Sequence, residues 1–149
     1  MRIITHKTKY CLTALYSLAR SYGYGPVQIS TLAQQEGMPK KFLEQILLLL
    51  KNGGVVHSKS GRGGGYQLTK PPDQITIGSI IRMIEGPLAP LPCASETAYR
   101  LCEECIDPET CGTRQLMKQV RDATAQILDH TTLADVCQMI QSKKAALHL

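Results

Sequence analysis

"VQISTLAQQEGMPKKFLEQILLLLKNGG", residues 27–54, is the stretch that decides the fold. Its apolar spacing predicts two helices around a tight turn, with Ser30 as the N-cap of the first helix and Gly37 as its stop. The second helix is expected to turn five apolar side chains inward: Phe42, Leu43, Ile46, Leu47 and Leu50. Its first turns keep a polar, basic face. This combination is typical of a helix-turn-helix, whose second helix enters the major groove of DNA.

The segment that follows, "GVVHSKSGRGGGYQLTK" at residues 54–70, predicts a basic β-hairpin. "VVHSK" and "GYQL" alternate as strands do, and the glycines between them form a flexible connection. A hairpin directly after a recognition helix makes a winged helix, so we expect DNA binding. The expected DNA-binding residues come from the two helices and the wing: Ser30, Lys40, Lys41, Glu44, Gln45, Lys59 and Arg62.

The charge distribution favours a polyanionic partner for the N-terminal half. Residues 1–70 contain ten Lys or Arg and two Asp or Glu, whereas residues 71–149 contain seven basic and ten acidic residues. The net charge of +5 hides this asymmetry. A basic half joined to a mildly acidic half indicates that one part meets nucleic acid and the other does something else.

The sequence shows no pattern that predicts secretion or insertion into a membrane. The start of the chain has neither the apolar core nor the cleavage site of a secretory signal, and no apolar run approaches the roughly 20 residues that span a bilayer. We therefore expect a cytoplasmic protein with no membrane partner. In the cytoplasm a cysteine cluster indicates metal or redox chemistry more often than structural disulfides.

The C-terminal half predicts three further helices, the last of them in "TLADVCQMIQSKK", residues 132–144. "ITIGSIIRMIEG", residues 75–86, reads as a short amphipathic helix capped by Thr76, and residues 113–131 read as a long helix. An apolar stripe follows that long helix: Leu116, Val120, Ala123, Ile127 and Leu128. A small winged domain has little core left to cover this stripe, so we expect an equivalent helix of a second copy to cover it in a two-fold dimer.

These elements predict a mainly α fold with a small β-wing, a winged helix-turn-helix plus a long C-terminal dimerisation helix. We divide the chain into a winged DNA-binding domain (1–72), a connecting helix and linker (73–92), a cysteine loop (93–111), and a dimerisation helix with a C-terminal helix (112–149). A dimer with two recognition helices is expected to bind a pseudo-palindromic double-stranded DNA operator.

The cysteine loop carries the second candidate site. "PCASETAYRLCEECIDPETCGTR", residues 92–114, places four thiols close together in sequence: Cys93, Cys102, Cys105 and Cys111. The C-x2-C and C-x5-C gaps are compatible with an all-cysteine zinc site or with an iron–sulfur cluster, and they match neither the usual zinc ribbon nor the ferredoxin spacings. A thiol–disulfide switch is a third reading, and spacing leaves all three open.

The order of elements resembles the IscR/NsrR-like bacterial transcription regulators, the Rrf2 family. The resemblance rests on "KYCLTALYSLA", on the helix-turn-helix and wing from "ISTLAQQEG" to "GRGGGYQL", on "IRMIEGPLAPLPC", and on a cysteine cluster before a long helix. It implies a homodimeric winged-helix regulator in which an iron–sulfur cluster, [2Fe–2S] or [4Fe–4S], sets the affinity for DNA. Glu44 matches the family's recognition-helix acid, which can accept a hydrogen bond from cytosine N4.

This chain departs from the family pattern at two places, in the wing and around the cysteines. Ser60 stands where a relative has a wing arginine, with Arg62 two residues further on. The family loop has three cysteines, which Cys93, Cys105 and Cys111 match, so Cys102 is extra. Arg114 stands where one relative has a histidine ligand. Cys102 is therefore expected to supply the fourth ligand, and a residue of the partner chain is the alternative that the sequence leaves open.

Three other functions compete with that of a cluster-controlled regulator. The same fold with structural zinc or a disulfide switch differs in metal content and thiol count. A protein-interaction winged helix would not bind duplex DNA in a salt-dependent way. A small electron-transfer protein would leave the basic wing unexplained. We predict no enzyme, since the sequence shows no nucleophile–base pair and no phosphate-cradling motif.

Overall fold

The computed structural model describes residues 4–148, and residues 1–3 and 149 lie outside the described range. Six α-helices and one two-stranded sheet make up the regular structure of this range. In chain order they are α1 (His6–Arg20), α2 (Ile29–Glu36), α3 (Lys40–Asn52), β1 (Val56–Lys59), β2 (Gly65–Leu68), α4 (Ile77–Glu85), α5 (Gly112–Asp129) and α6 (Leu133–Leu147). The predicted fold class, a mainly helical winged helix-turn-helix, is confirmed.

The helix-turn-helix consists of α2 and α3. Gly37 ends α2 in the left-handed conformation (φ 63°), as predicted for a C-terminal stop. The predicted N-cap is wrong by two residues, because Gln28 takes that position and Ser30 is an exposed residue inside the first turn. The reason is a long-range contact: Val27 pairs with Tyr66 as an isolated bridge, so the extended chain gives way to helix directly after it.

The wing is a tight antiparallel hairpin attached at its base. β1 and β2 pair from Val56–Leu68 to Lys59–Gly65, and only the basal pair, Val56 and Leu68, is buried. Gly65 lies against the chain that precedes α2, and a Cβ at this position would stand 2.3 Å from the Val27 carbonyl oxygen. A side chain cannot be accommodated there, so glycine is needed for the wing to dock on the helical domain.

The core forms where α1 crosses the helix-turn-helix. The largest fully buried side chains come from α1 to α4 and α6, and they include Leu15, Leu18, Leu32, Leu43, Ile46, Leu47, Leu50, Ile80, Ile81 and Leu133. Each contributes about 1.5–3 kcal/mol of hydrophobic stabilisation relative to an exposed position. Phe42, predicted to be inward, is only half-buried and packs edge-to-face on Tyr10, with ring centroids 5.2 Å apart.

The C-terminal helices are fastened to this core at a few points. Thr76 caps α4 as predicted, and it pairs with Thr132, whose capping box with Asp135 begins α6. Helix α5 packs on α4, where Arg82 forms an ion pair with Asp129, and on the 3₁₀ turn Pro92–Ala94. No helix within residues 4–148 is long and apolar enough to cross a membrane.

The predicted apolar stripe of α5 is only partly covered in the single chain, where Val120 and Leu128 are half-buried and Leu128 packs against the core. No residue of α5 is buried, and Leu116 and Ile127 are 55% and 66% exposed. An exposed apolar stripe on an 18-residue helix is the expected state of a surface that a second copy covers. The dimer itself remains a prediction.

Glu85 at the end of α4 ties this helix to the start of α1. Its carboxylate accepts hydrogen bonds from the Thr5 backbone N–H (2.8 Å), the Thr5 hydroxyl (2.6 Å) and the Thr8 hydroxyl. These donors lower the pKa of the Glu85 carboxyl, with the Thr5 hydroxyl as the largest cause and the Thr8 hydroxyl next. A lowered pKa in the folded state stabilises the fold above the unfolded carboxyl's pKa of about 4.3, and that stability is lost as the pH falls through the folded value.

Replacing Glu85 by Gln is therefore expected to lower the free energy of unfolding at neutral pH, by about 1 kcal/mol since solvent screens part of the interaction. The difference from the wild type should shrink as the pH falls to about 3. Urea unfolding of both proteins at the two pH values measures this. Glu104→Gln is the control, since Glu104 is an exposed carboxylate outside this network. An equal loss for Glu85→Gln at both pH values would contradict the assignment.

Candidate DNA interface and cysteine loop

Helix α3 presents its polar face to solvent because its apolar face is fully used. Leu43, Ile46, Leu47 and Leu50 are buried, and this fixes the rotation of the helix about its axis. The candidate DNA-reading residues of the helix are all exposed: Lys40, Lys41, Glu44 and Gln45. They occupy the first two turns, the part of a recognition helix that meets base edges.

The wing and the start of α2 supply the other three candidates. Lys59 ends β1 and Arg62 lies in the wing connection, between Gly61 (φ 89°) and Gly63 (φ 73°). Ser30 lies in the first turn of α2, and all three side chains are exposed. Within residues 4–148 none of the seven candidate side chains makes a hydrogen bond or ion pair, so their polar groups are available to a ligand.

Two charged side chains near the candidate DNA-binding residues are already engaged within the chain. The Glu36 carboxylate at the end of α2 is paired with Arg20 of α1 at 2.9 Å. Lys51 at the end of α3 donates to the Ser58 hydroxyl of the wing at 2.8 Å, which joins the helix to the hairpin. Among residues 4–148 no cation is paired with the Glu44 carboxylate, a state suited to accepting a hydrogen bond from a base.

The four loop cysteines lie between the end of α4 and the start of α5, in different environments. Cys93 is in a 3₁₀ turn (Pro92–Ala94) and is 4% exposed, whereas Cys102 is exposed. Cys105 and Cys111 are half-buried, and Cys111 is the N-cap of α5, its Sγ accepting from the Arg114 backbone N–H at 3.4 Å. All four are free thiols.

The structure brings Cys93 and Cys102 into direct contact. The Cys102 thiol donates to Cys93 Sγ at 3.5 Å. This hydrogen bond is the largest cause of a raised pKa for the Cys102 thiol, followed by desolvation and by the negative charge of Cys93, Cys105 and Cys111. The mutual electrostatic effect shows that four thiolates together would repel one another, a cost that a bound cation removes.

Two arginines of α5 hold the loop, and sequence reasoning missed both as functional residues. Arg114 Nε donates to the Cys93 carbonyl (2.9 Å), its Nη1 donates to the Pro108 carbonyl (3.0 Å), and its guanidinium lies 5.6 Å from the centre of the Tyr99 ring. Arg121 donates to the Ala94 carbonyl (2.6 Å). The signal in the sequence was their seven-residue spacing, which places both on one face of the helix.

The donor set of the loop fits a thiophilic metal group by its chemistry. Thiolates are the ligands of iron–sulfur clusters and of structural zinc. Across residues 4–148, no three cysteine, histidine or carboxylate side chains are already arranged around one metal position. Binding of one metal group would therefore require the thiols to come closer together, and the irregular chain between residues 95 and 111, which carries Cys102 and Cys105, has no helix or strand to oppose this.

Comparisons with known proteins agree with this arrangement of elements. The family model "Rrf2: Iron-dependent Transcriptional regulator" matches residues 4–139. An rrf2-like HTH-type transcriptional regulator of Rhodobacter capsulatus is 42% identical over 137 residues, which cover 90% of this chain and 91% of the relative.

Two solved structures share the fold over nearly the whole chain. The structure of CymR, the global cysteine regulator of B. subtilis, superposes with a TM-score of 0.77 at 37% identity, covering 93% of this chain and 98% of CymR. T. potens IscR superposes with a TM-score of 0.72 at 29% identity, covering 96% and 89%. The protein therefore belongs to the Rrf2 family of transcription regulators.

Proposed function

We propose that the protein is a cytoplasmic, homodimeric transcription regulator whose affinity for a pseudo-palindromic DNA operator is controlled by an iron–sulfur cluster in the loop 93–111. The observation that carries the proposal is the attachment of the four-thiol loop to helix α5, the candidate dimer helix, through Arg114 and Arg121. A change in this loop is thereby transmitted to the element that sets the spacing of two recognition helices.

The winged half is suited to reading duplex DNA. Lys40, Lys41 and Gln45 would contact phosphates or base edges, and Glu44 would accept from an exocyclic amine in the major groove. Lys59 and Arg62 would contact phosphate or the minor groove from the wing. Ser30, in the first turn of α2, would donate to a phosphate oxygen.

The apolar stripe of α5 would be covered by a second copy of this chain. A monomer places one recognition helix on one half-site, whereas a two-fold dimer places two helices about one turn of DNA apart. The exposed Leu116 and Ile127 would be buried in an isologous contact of α5 with its equivalent.

Cys93, Cys102, Cys105 and Cys111 would hold the cluster, [2Fe–2S] or [4Fe–4S]. Family members are described as iron-dependent, and IscR is among the structural neighbours, which supports iron over zinc with the same thiolate donors. When bound, the cluster supplies a centre whose presence or redox state depends on iron and oxidants. The thiols that hold it are fixed at two ends, by the 3₁₀ turn at Cys93 and by the helix cap at Cys111.

A continuous set of contacts joins the loop to the DNA-binding half. Arg121 links the loop to α5, the ion pair of Arg82 with Asp129 links α5 to α4, and Glu85 links α4 to the start of α1. Helix α1 packs directly on α2 and α3. A rearrangement at the loop therefore has a path of charged and hydrogen-bonded contacts to the recognition helix, as an allosteric coupling requires.

Replacing Glu44 by Ala is expected to relax base preference more than it weakens binding, because the lost contact discriminates between bases. Electrophoretic or fluorescence titration against operator variants measures the change, which should reach about tenfold or more in relative affinity at one base pair. Lys41→Ala is the matched control on the same helix face, and it should weaken binding to all sequences alike and reduce the salt dependence. A uniform loss for Glu44→Ala would refute its role as a base reader.

Anaerobic purification is expected to give a brown protein with matched iron and acid-labile sulfide. Cys105→Ala should lose both, since the cluster requires thiolate ligands. Cys137→Ala is the control, because the Cys137 thiol lies on α6 and donates a hydrogen bond to the Tyr16 carbonyl, away from the loop. Colourless protein with one zinc per chain would replace the cluster by a structural zinc site and leave the DNA-binding proposal intact.

Replacing Arg114 by Gln is expected to loosen the loop, because the Cys93 and Pro108 carbonyls lose a charged donor. Amide hydrogen exchange across residues 93–111 should accelerate by about tenfold, the equivalent of one hydrogen bond to a charged group. Arg100→Gln, which removes an exposed arginine from the same loop, should leave exchange unchanged. Unchanged exchange in Arg114→Gln would show that the loop does not depend on this anchor.

A further inference from the structure

The contact between Cys93 and Cys102 is created by the backbone of the loop. The Arg100 backbone N–H donates to the Pro92 carbonyl at 3.2 Å, which closes residues 92–100 into a ring. Inside this ring the Ser95 hydroxyl, buried in the loop, accepts from the Ala98 N–H at 3.0 Å. The chain that leaves the ring at Arg100 therefore returns Cys102 to the side of Cys93.

The two sulfurs are close to bonding distance. Their separation is 3.5 Å, and a disulfide has an S–S length of about 2.05 Å, so a movement of about 1.5 Å joins them. Cys102 belongs to an exposed segment without helix or strand, which allows this movement, whereas Cys93 is fixed in its 3₁₀ turn by the Arg114 hydrogen bond to its carbonyl.

Of the other four thiols, Cys105 is half-buried and its Sγ makes no hydrogen bond within residues 4–148, whereas the remaining three are held elsewhere. Cys111 Sγ caps α5, and the Cys137 thiol donates a hydrogen bond to the Tyr16 carbonyl at 3.6 Å. Cys11 belongs to α1 and is fully buried in the core. Among residues 4–148 the only sulfur–sulfur hydrogen bond joins Cys93 and Cys102, which makes them the one pair poised to react with each other.

We infer that Cys93 and Cys102 form a reversible disulfide when the loop holds no metal, and that this bond closes the site to iron. The inference rests on the proposed function, whose loop it supplies with a second, redox-controlled state. It also gives Cys102, the cysteine that the family pattern lacks, a role as the partner thiol of Cys93. Because Cys93 cannot be both a disulfide sulfur and a thiolate ligand, the disulfide and the metal exclude each other.

A low-molecular-weight disulfide such as glutathione disulfide is the oxidant that this geometry suits. The exposed Cys102 thiolate attacks one sulfur of the oxidant, forming a mixed disulfide and releasing one small thiol. The Cys93 thiolate then attacks the Cys102 sulfur and releases the second small thiol. Two protein thiols are oxidised, one small disulfide is reduced, and the two protons pass to the two small thiols that leave.

The test uses the full chain, reduced, freed of metal by a chelator, and then incubated with glutathione disulfide at mildly alkaline pH. We expect the loss of two of its six thiols, with a mass decrease of about 2 Da and recovery on reduction. Trypsin separates Cys93, in residues 83–100, from the other loop cysteines, in residues 101–114. A cross-link between these two peptides identifies Cys93 as one partner.

Matched variants identify the other partner. Cys102→Ser should abolish the cross-link between the two peptides, whereas Cys105→Ser, three residues away, should keep it. A disulfide confined to residues 101–114, a cross-link that survives Cys102→Ser, stable mixed disulfides with Cys93 left free, or the retention of all six thiols would each overturn the inference.

Iron uptake separates this inference from the proposed function. Oxidised wild-type protein should take up no iron from ferrous iron and sulfide until it is reduced, whereas the reduced protein takes up iron at once. If the reduced protein takes up none, the cluster proposal fails and the cross-link result still decides the disulfide. If the oxidised, cross-linked protein takes up as much iron as the reduced one, the mutual exclusion is wrong.

Discussion

The attachment of the cysteine loop to helix α5 is the interaction on which the candidate sensor depends. Arg114 and Arg121 donate to the carbonyls of Cys93 and Ala94, so a loop without regular structure is fixed by two nearly buried guanidinium groups. A guanidinium that bonds to backbone carbonyls keeps its charge, and in this loop Glu96 and Glu109 balance it. The acids that surround the thiols therefore take part in placing them.

In the proposed regulator, the chain divides the work between a well-packed DNA-reading half and a less constrained sensor loop. The helix-turn-helix and the wing share the apolar core with α1, whereas the loop has few buried residues and is held by polar contacts. Regions of this second kind open at lower free energy than the core. A regulator needs this contrast, because a signal has to rearrange one part while the DNA-reading part stays folded.

The sequence predicted most of the fold, and it failed where distant contacts decide; its candidate site residues stay predictions. Periodicity and glycine positions located the helices, the wing and the stop at Gly37. The N-cap was misplaced at Ser30, because Val27 is extended only through its pairing with Tyr66. Spacing drew attention to the C-x2-C pair, whereas a backbone hydrogen bond from Arg100 places Cys102 beside Cys93. A residue pattern cannot show which carbonyls Arg114 binds, because every residue has a backbone carbonyl.

The wing is fixed at its base and free at its tip, and this has an evolutionary consequence. Gly65 has no room for a side chain and Leu68 is buried, so the base tolerates little change. The connection around Arg62 is exposed and contributes nothing to the core. If the wing contacts the operator as proposed, substitutions there alter which operators are preferred at almost no cost to folding stability. New target genes could then be acquired by drift in the wing tip, while the rest of the scaffold stays the same.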